Sequence, residues 1–233
     1  MNSSMLSLTA ASIAFVGIHL LISGTRTRDS LVRLVGLRVY FALFIVATLG
    51  IIVWMFLAYE DARAEGVRHF WSVTPATRGI QLGLMLIAAL FIEAGISTGR
   101  NPGLVFMEKT MNDANVVQGV LRVTRHPFLW GWAVLAAGHM LVNGDEASLV
   151  AFGASLITAV FGTYSIDAKR RRVYGDNWLA YERQTSNIPF AAILDGRQLF
   201  KPAEIGWRFS LGVIAWAGLL FLHPYFFGVA ALP

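Results

Sequence analysis

Six stretches of the chain are almost wholly apolar, and charged residues gather in the intervals between them. The stretches run Met5 to Ser23, Leu37 to Ala58, Arg78 to Ser97, Pro127 to Val142, Ala147 to Ile166 and Trp207 to Gly228. A helix needs about 20 residues to cross a hydrocarbon core, and most of the six approach that length. The fourth is short, and only Asn143-Gly144-Asp145-Glu146 separates it from the fifth. Asn-Gly marks a turn, so these two read as a tight helical hairpin. Helix is the state that satisfies every backbone group within its own segment in lipid. The alternating pattern of a membrane barrel is absent. The pattern predicts an all-α fold, a polytopic transmembrane bundle of about six helices, in one domain over residues 1–233.

Composition agrees with that class. Of 233 residues, 56% are hydrophobic and only 14% charged, against about 25% charged in soluble domains. Mean hydropathy is +0.59. There is no cysteine, which excludes disulfides, thiolate metal sites and Cys nucleophiles. Residues Met1 to Ile22 lack a basic start and an A-x-A end, so they read as a retained first span. The net charge of +5 is expected to mark cytoplasmic loops and lipid headgroups, with no nucleic-acid partner.

The basic residues are unevenly placed. Sixteen of nineteen lie after spans one, three and five; only Arg63, Arg68 and Arg78 lie on the other side. The positive-inside rule then puts both termini outside the cytoplasm. Asp167 to Asn187 reads as a cytoplasmic extension of span five. Its Lys169 to Arg172 run suits anionic headgroups, and Tyr174, Trp178 and Tyr181 share one helical face, as in an interfacial helix.

Few residues can carry chemistry. His19 lies inside span one, His126 opens span four, and His139 lies further along that span. Ionisable groups inside a membrane are costly and are functional candidates by default. Two roles stay open for them: hydrogen bonding between helices, or a shared metal such as haem iron, zinc or copper. Glu93 is the one carboxylate well inside a span, within reach of a loop arginine. Arg122, Arg125 and His126 sit at a helix entrance opened by Pro127. They suit either ordinary basic flanking or a clamp on an anionic group such as a propionate or phosphate.

The stretches Gly17-Ile18-His19-Leu20, Ser23 to Asp29, Asn101-Pro102, Leu121 to Gly131, Gly138 to Asp145 and Pro189 to Ile193 together resemble the NnrU family of bacterial inner-membrane proteins. The likeness covers most of the chain. That family is associated with nitrite and nitric oxide reduction in denitrifiers. Its best-understood relatives are zeta-carotene isomerases, which use haem b to isomerise a cis double bond. The resemblance implies haem b as cofactor, a hydrophobic polyene as substrate, and His19 and His139 as the haem-associated pair. Arg122, Arg125 and His126 are then further cofactor-binding candidates. A weaker likeness, Arg125-His126-Pro127 followed by a Tyr-Gly-x-x-Trp-x-x-Tyr stretch, points to isoprenylcysteine methyltransferases. Asp167 and Glu182 are the available acids for it.

One geometric difficulty attaches to the histidine pair. With Ser23 ending span one, His19 lies about 6 Å from the cytoplasmic edge, while His139 lies about 17 Å above Phe128 at 1.5 Å per residue. Axial ligands share a depth, so the helices must tilt or span one must run deeper. Otherwise His19 with His126 becomes the pair. The rival to a haem-dependent isomerase is a non-enzymatic assembly factor or transporter-like subunit; a methyltransferase is third.

Overall fold

The computed structural model describes residues 2–99 and 116–232. Arg100, Asn101-Pro102 and Lys109 lie outside the described residues. Nine α-helices stand among those described. In order they are α1 (Ser3–Val16), α2 (Arg26–Val35), α3 (Leu37–Ala64), α4 (Pro75–Ser97), α5 (Pro127–Asn143), α6 (Glu146–Tyr174), α7 (Asp176–Gln184), α8 (Ala191–Leu194) and α9 (Trp207–Phe227). A π-helical turn, Gly17–Ser23, continues α1 without a break. Among the described residues no strand forms, and one isolated bridge joins His69 to Asp145. The all-α expectation holds.

Five helices are long and apolar enough to cross a membrane: Ser3–Ser23, Leu37–Ala64, Pro75–Ser97, Glu146–Tyr174 and Trp207–Phe227. The chain is a membrane protein. The remaining apolar segment is α5, whose 17 residues are short for a span, as its length in the sequence predicts. Large apolar side chains stay exposed on these helices, among them Val46, Ile214 and Phe221. In water each would forfeit about 1.5–3 kcal/mol of burial; in hydrocarbon they are solvated.

The helix boundaries have local causes. Asn2 caps α1 by accepting from the Met5 N–H at 3.0 Å, and Thr25 caps α2 by accepting from Thr27 at 3.2 Å. The Thr74 hydroxyl accepts from Thr77 at 3.1 Å, and Pro75 takes the first position of α4, where a missing N–H costs nothing. Asp145 accepts from the Ser148 N–H at 2.8 Å and from its hydroxyl at 2.7 Å, which starts α6.

Contacts divide the chain into two compact units. The first takes in Met1–Gln81 and Leu135–Lys169; the second takes in Leu82–Val134 and Arg170–Pro233. In the first unit, Met5 and Leu8 of α1 pack with Ala58 and Ala62 of α3 and Ala147 and Ala151 of α6. Small residues let these backbones approach, as membrane helices require. Towards the other end of α1, Gly24 abuts Ser165 of α6, so closely that a Cβ there would collide with the serine hydroxyl. Hence α1 and α6 run in parallel. The turn between α5 and α6 depends on Gly144, at φ +63, where a Cβ would meet Trp71 at 2.7–2.8 Å. The Trp71 indole donates to the Leu141 carbonyl at 2.9 Å and fastens that turn.

In the second unit, α4 and α5 meet through glycine. A Cβ on Gly131 would stand 2.8 Å from Ile92, and one on Gly95 would stand 2.6 Å from the Phe128 nitrogen. The segment before α5 is stitched to the one after α7. Arg125 N–H donates to the Ser186 carbonyl at 2.9 Å, and Phe190 N–H to that of Val123 at 2.8 Å. Tyr174, Trp178 and Tyr181 do share a face, but that face is not interfacial. Trp178 is fully buried and Tyr181 nearly so, packed with Val116 and Val117. The aromatic face turns into protein because a second apolar strip covers it.

Candidate functional site

His19 and His139 both belong to the first unit, and their local geometry matches. The Nδ1 of His19 is 2.8 Å from the carbonyl oxygen of Phe15, and that of His139 is 2.9 Å from that of Leu135. Each ring is thus tied to the carbonyl one turn back. A carbonyl accepts, so Nδ1 carries the hydrogen and donates. The lone pair then sits on Nε2, the nitrogen a metal takes. Aromatic rings fix both imidazoles. Phe15 and Phe44 lie 4.5 and 5.5 Å from His19, and Phe152 is stacked 4.8 Å from His139.

The two histidines point towards one another along the helix axes. Each side chain turns back towards the start of its own helix. Through the Gly144 turn, α5 runs against α6 and so against α1. Their levels still differ. His19 lies near Gly24 and Ser165, while the His139 ring lies at Phe152, close to Ala147. At 1.5 Å per residue these rungs leave about 10 Å between the imidazoles along the axes. Nitrogens sharing one iron stand about 4 Å apart, given metal–nitrogen bonds of about 2 Å. Each imidazole keeps its Nε2 lone pair available, and the two could meet at one metal only if the helices shifted. Among the described residues no group of three His, Asp or Glu side chains is placed to hold a bare metal ion.

His126 belongs to the second unit, with Arg122 and Arg125. It is fully buried, and its N–H donates to the Thr124 hydroxyl at 3.2 Å. The two arginines are not turned to solvent; carboxylates of this chain meet both. Arg125 Nη2 donates to Glu182 at 3.2 Å, and Arg171 grips the same carboxylate at 2.7 and 2.9 Å. Arg122 donates through Nε and Nη2 to Glu204 at 2.7 and 3.0 Å, and through Nη1 to Gln198 at 2.6 Å. The Arg122 guanidinium, helped by the Gly119 N–H at 2.9 Å, holds the Glu204 carboxyl down to about 2. The anionic groups at this helix entrance are Glu182 and Glu204. Glu93 accepts from Ser97, one turn on in its own helix, at 3.4 Å.

Glu182 is among the acids the sequence offers beside Arg125, but Glu204 escapes a reading of the sequence because it stands 82 positions from Arg122. Tyr40 and Arg28 also escape it. Tyr40 is 5% exposed, with the Arg28 guanidinium carbon 5.6 Å from its ring centre.

Two curated relatives are 15-cis-zeta-carotene isomerases, both described as chloroplastic. The maize (Zea mays) protein is 29% identical over 227 residues, covering 91% of this chain and 58% of its own. The Arabidopsis thaliana protein is 32% identical over 117 residues, covering 48% of this chain and 32% of its own. The match thus spans 58% of one relative's length and 32% of the other's. No solved structure matches. The family model for the NnrU protein matches residues 7–231, nearly the whole chain, and this protein belongs to the NnrU family.

Proposed function

We propose that the chain is a membrane-embedded cis–trans isomerase acting on a carotenoid-like polyene, with haem b as its cofactor. The supporting observation is the matched pair of anchored imidazoles, His19 and His139, in one unit of a chain similar to 15-cis-zeta-carotene isomerases. His19 is the ligand in this arrangement, and His139 becomes a second one only where the helices shift to bring it to the same iron. His19 would hold the haem, and the iron would supply the chemistry that lowers the barrier to double-bond rotation. The chain's own residues orient the imidazoles, through Phe15 and Leu135, and present an apolar surface to the substrate. Arg122 and Arg125 secure the entrance of α5 through Glu204 and Glu182, and His126 is buried beside them. The protein sits in the inner membrane of a bacterium with both termini outside the cytoplasm, the side with few basic residues.

The test is purification after haem-replete expression, an absorption spectrum, and incubation with 15-cis-zeta-carotene followed by chromatography of the isomers. A Soret band with conversion is expected. No Soret band overturns the reading in favour of a non-enzymatic membrane factor. A Soret band without conversion moves the haem to redox or nitric-oxide-related work.

A further inference from the structure

Among the described residues, the one ion pair of Arg28 is with Asp29, its neighbour in sequence. Arg28 donates one N–H to Asp29 at 3.3 Å, yet its side chain is only 17% exposed. A guanidinium carries five donors in a planar fork that matches a carboxylate. Beside it stands Tyr40, 95% buried, whose hydroxyl makes no hydrogen bond among the described residues. Leaving a buried hydroxyl unsatisfied costs about 1–3 kcal/mol. A donor kept dry next to a cation is a place for an anion. Arg122 and Arg125, by contrast, already hold carboxylates.

The position relative to His19 gives the anion a source. Tyr40 stacks on Phe44 with ring centres 6.1 Å apart, and Phe44 meets the His19 ring edge at 5.5 Å. Tyr40 is one helical turn from Phe44 on α3, on the side towards Arg28. We propose that Arg28 and the Tyr40 hydroxyl together bind a carboxylate at the edge of the His19 cofactor, a haem propionate. This rests on the haem reading above. The porphyrin then lies beside His19 with its acidic edge at the end of α3 where Arg28 enters. The Asp29 carboxylate competes for one donor of Arg28 and leaves the rest of the fork to the propionate.

The full chain in phosphatidylcholine nanodiscs is titrated with haem b and with its dimethyl ester, followed at the Soret band. The wild type is expected to bind the free acid about tenfold more tightly, the scale of one charge-assisted hydrogen-bonded contact. Arg28→Gln and Tyr40→Phe are each expected to shrink that preference without moving the Soret maximum, and Arg28→Lys to keep part of it. Tyr40→Phe removes one oxygen and keeps the ring, so it reads the contact and spares the fold. Equal binding of acid and ester by the wild type overturns the proposal while the haem reading stands. Full preference in both Arg28→Gln and Tyr40→Phe overturns it as well. No Soret band with either porphyrin overturns both readings together.

Discussion

Arg122 and Glu204 form a two-pronged ion pair, Nε to Oε2 at 2.7 Å and Nη2 to Oε1 at 3.0 Å. It ties the segment before α5 to the one before α9. The Glu204 carboxyl, ordinarily near 4.5, is lowered to about 2. A lowered carboxyl stabilises the fold above its ordinary value and loses that contribution as pH falls through the lowered one. Glu204→Gln should therefore melt below the wild type at neutral pH. The difference should narrow as pH drops from 4.5 towards 2. Thermal unfolding in detergent across that range checks it; a difference that grows on acidification refutes it.

Glu182 serves two arginines of unequal burial. The Arg125 side chain is 8% exposed and that of Arg171 53%. Glu182→Ala leaves a buried guanidinium without its acid and should cost about 3–5 kcal/mol. Arg171→Ala removes an exposed partner and should cost about 0–1 kcal/mol. Denaturant titration of both variants gives the ranking, and equal losses would show that Arg125 does not depend on Glu182.

At Gly24 the approach of α6 leaves no room for a side chain. Gly24→Ala should cost about 1–3 kcal/mol, the usual range for overpacking. Ser165→Gly in the same chain should restore part of that loss, the rest coming from the Leu20 carbonyl, which a Cβ at Gly24 would meet at 2.6 Å. Additive losses in the double variant would separate the two sites.

Four histidine variants test the cofactor assignment. His19→Ala should abolish or strongly shift the Soret band. His139→Ala should alter the spectrum while leaving haem bound. His69→Ala and His223→Ala should change neither, since His69 lies in a loop and His223 bonds the Val229 carbonyl at 2.7 Å near the end of α9. Normal haem content and spectrum in both His19→Ala and His139→Ala would remove the assignment.

The helical frame was legible because hydropathy alone fixes where a chain can enter lipid. Its errors fall where helix and hydropathy part company. Helix α3 runs on to Ala64, past the apolar limit at Ala58, while α6 runs past Ile166 to Tyr174 as the expected extension of span five. Charged residues such as Glu60, Lys169 and Arg172 form helix readily but repel hydrocarbon. Helix α2, a polar stretch by composition, was hidden for the same reason. The burial of Trp178 depended on Val116 and Val117, about sixty positions away, and no local pattern carries that. His19 and His139 stand out as ionisable residues in apolar runs. Their difference in depth was legible as well, because helix rise is constant. The partners of Arg122 and Arg125 were not, since any of fourteen acids could have met them.

The π turn at Gly17–Ser23 has a consequence for how this chain tolerates insertion and deletion. Bonds that skip one residue further accommodate an extra residue within an otherwise regular helix. Removing one residue from Gly17–Ser23 would let the turn relax to ordinary α geometry. The residues before it would keep their facing, because the wider turn had already absorbed the extra residue. Met5 and Leu8 would stay against the alanines of α3 and α6, and Gly24 against Ser165; removing a residue from the α-helical part, Ser3–Val16, would instead turn everything before it by about 100°, since a turn holds 3.6 residues. The widened turn thus takes up a change of one residue without re-aiming either end of the rod, and His19 lies within it.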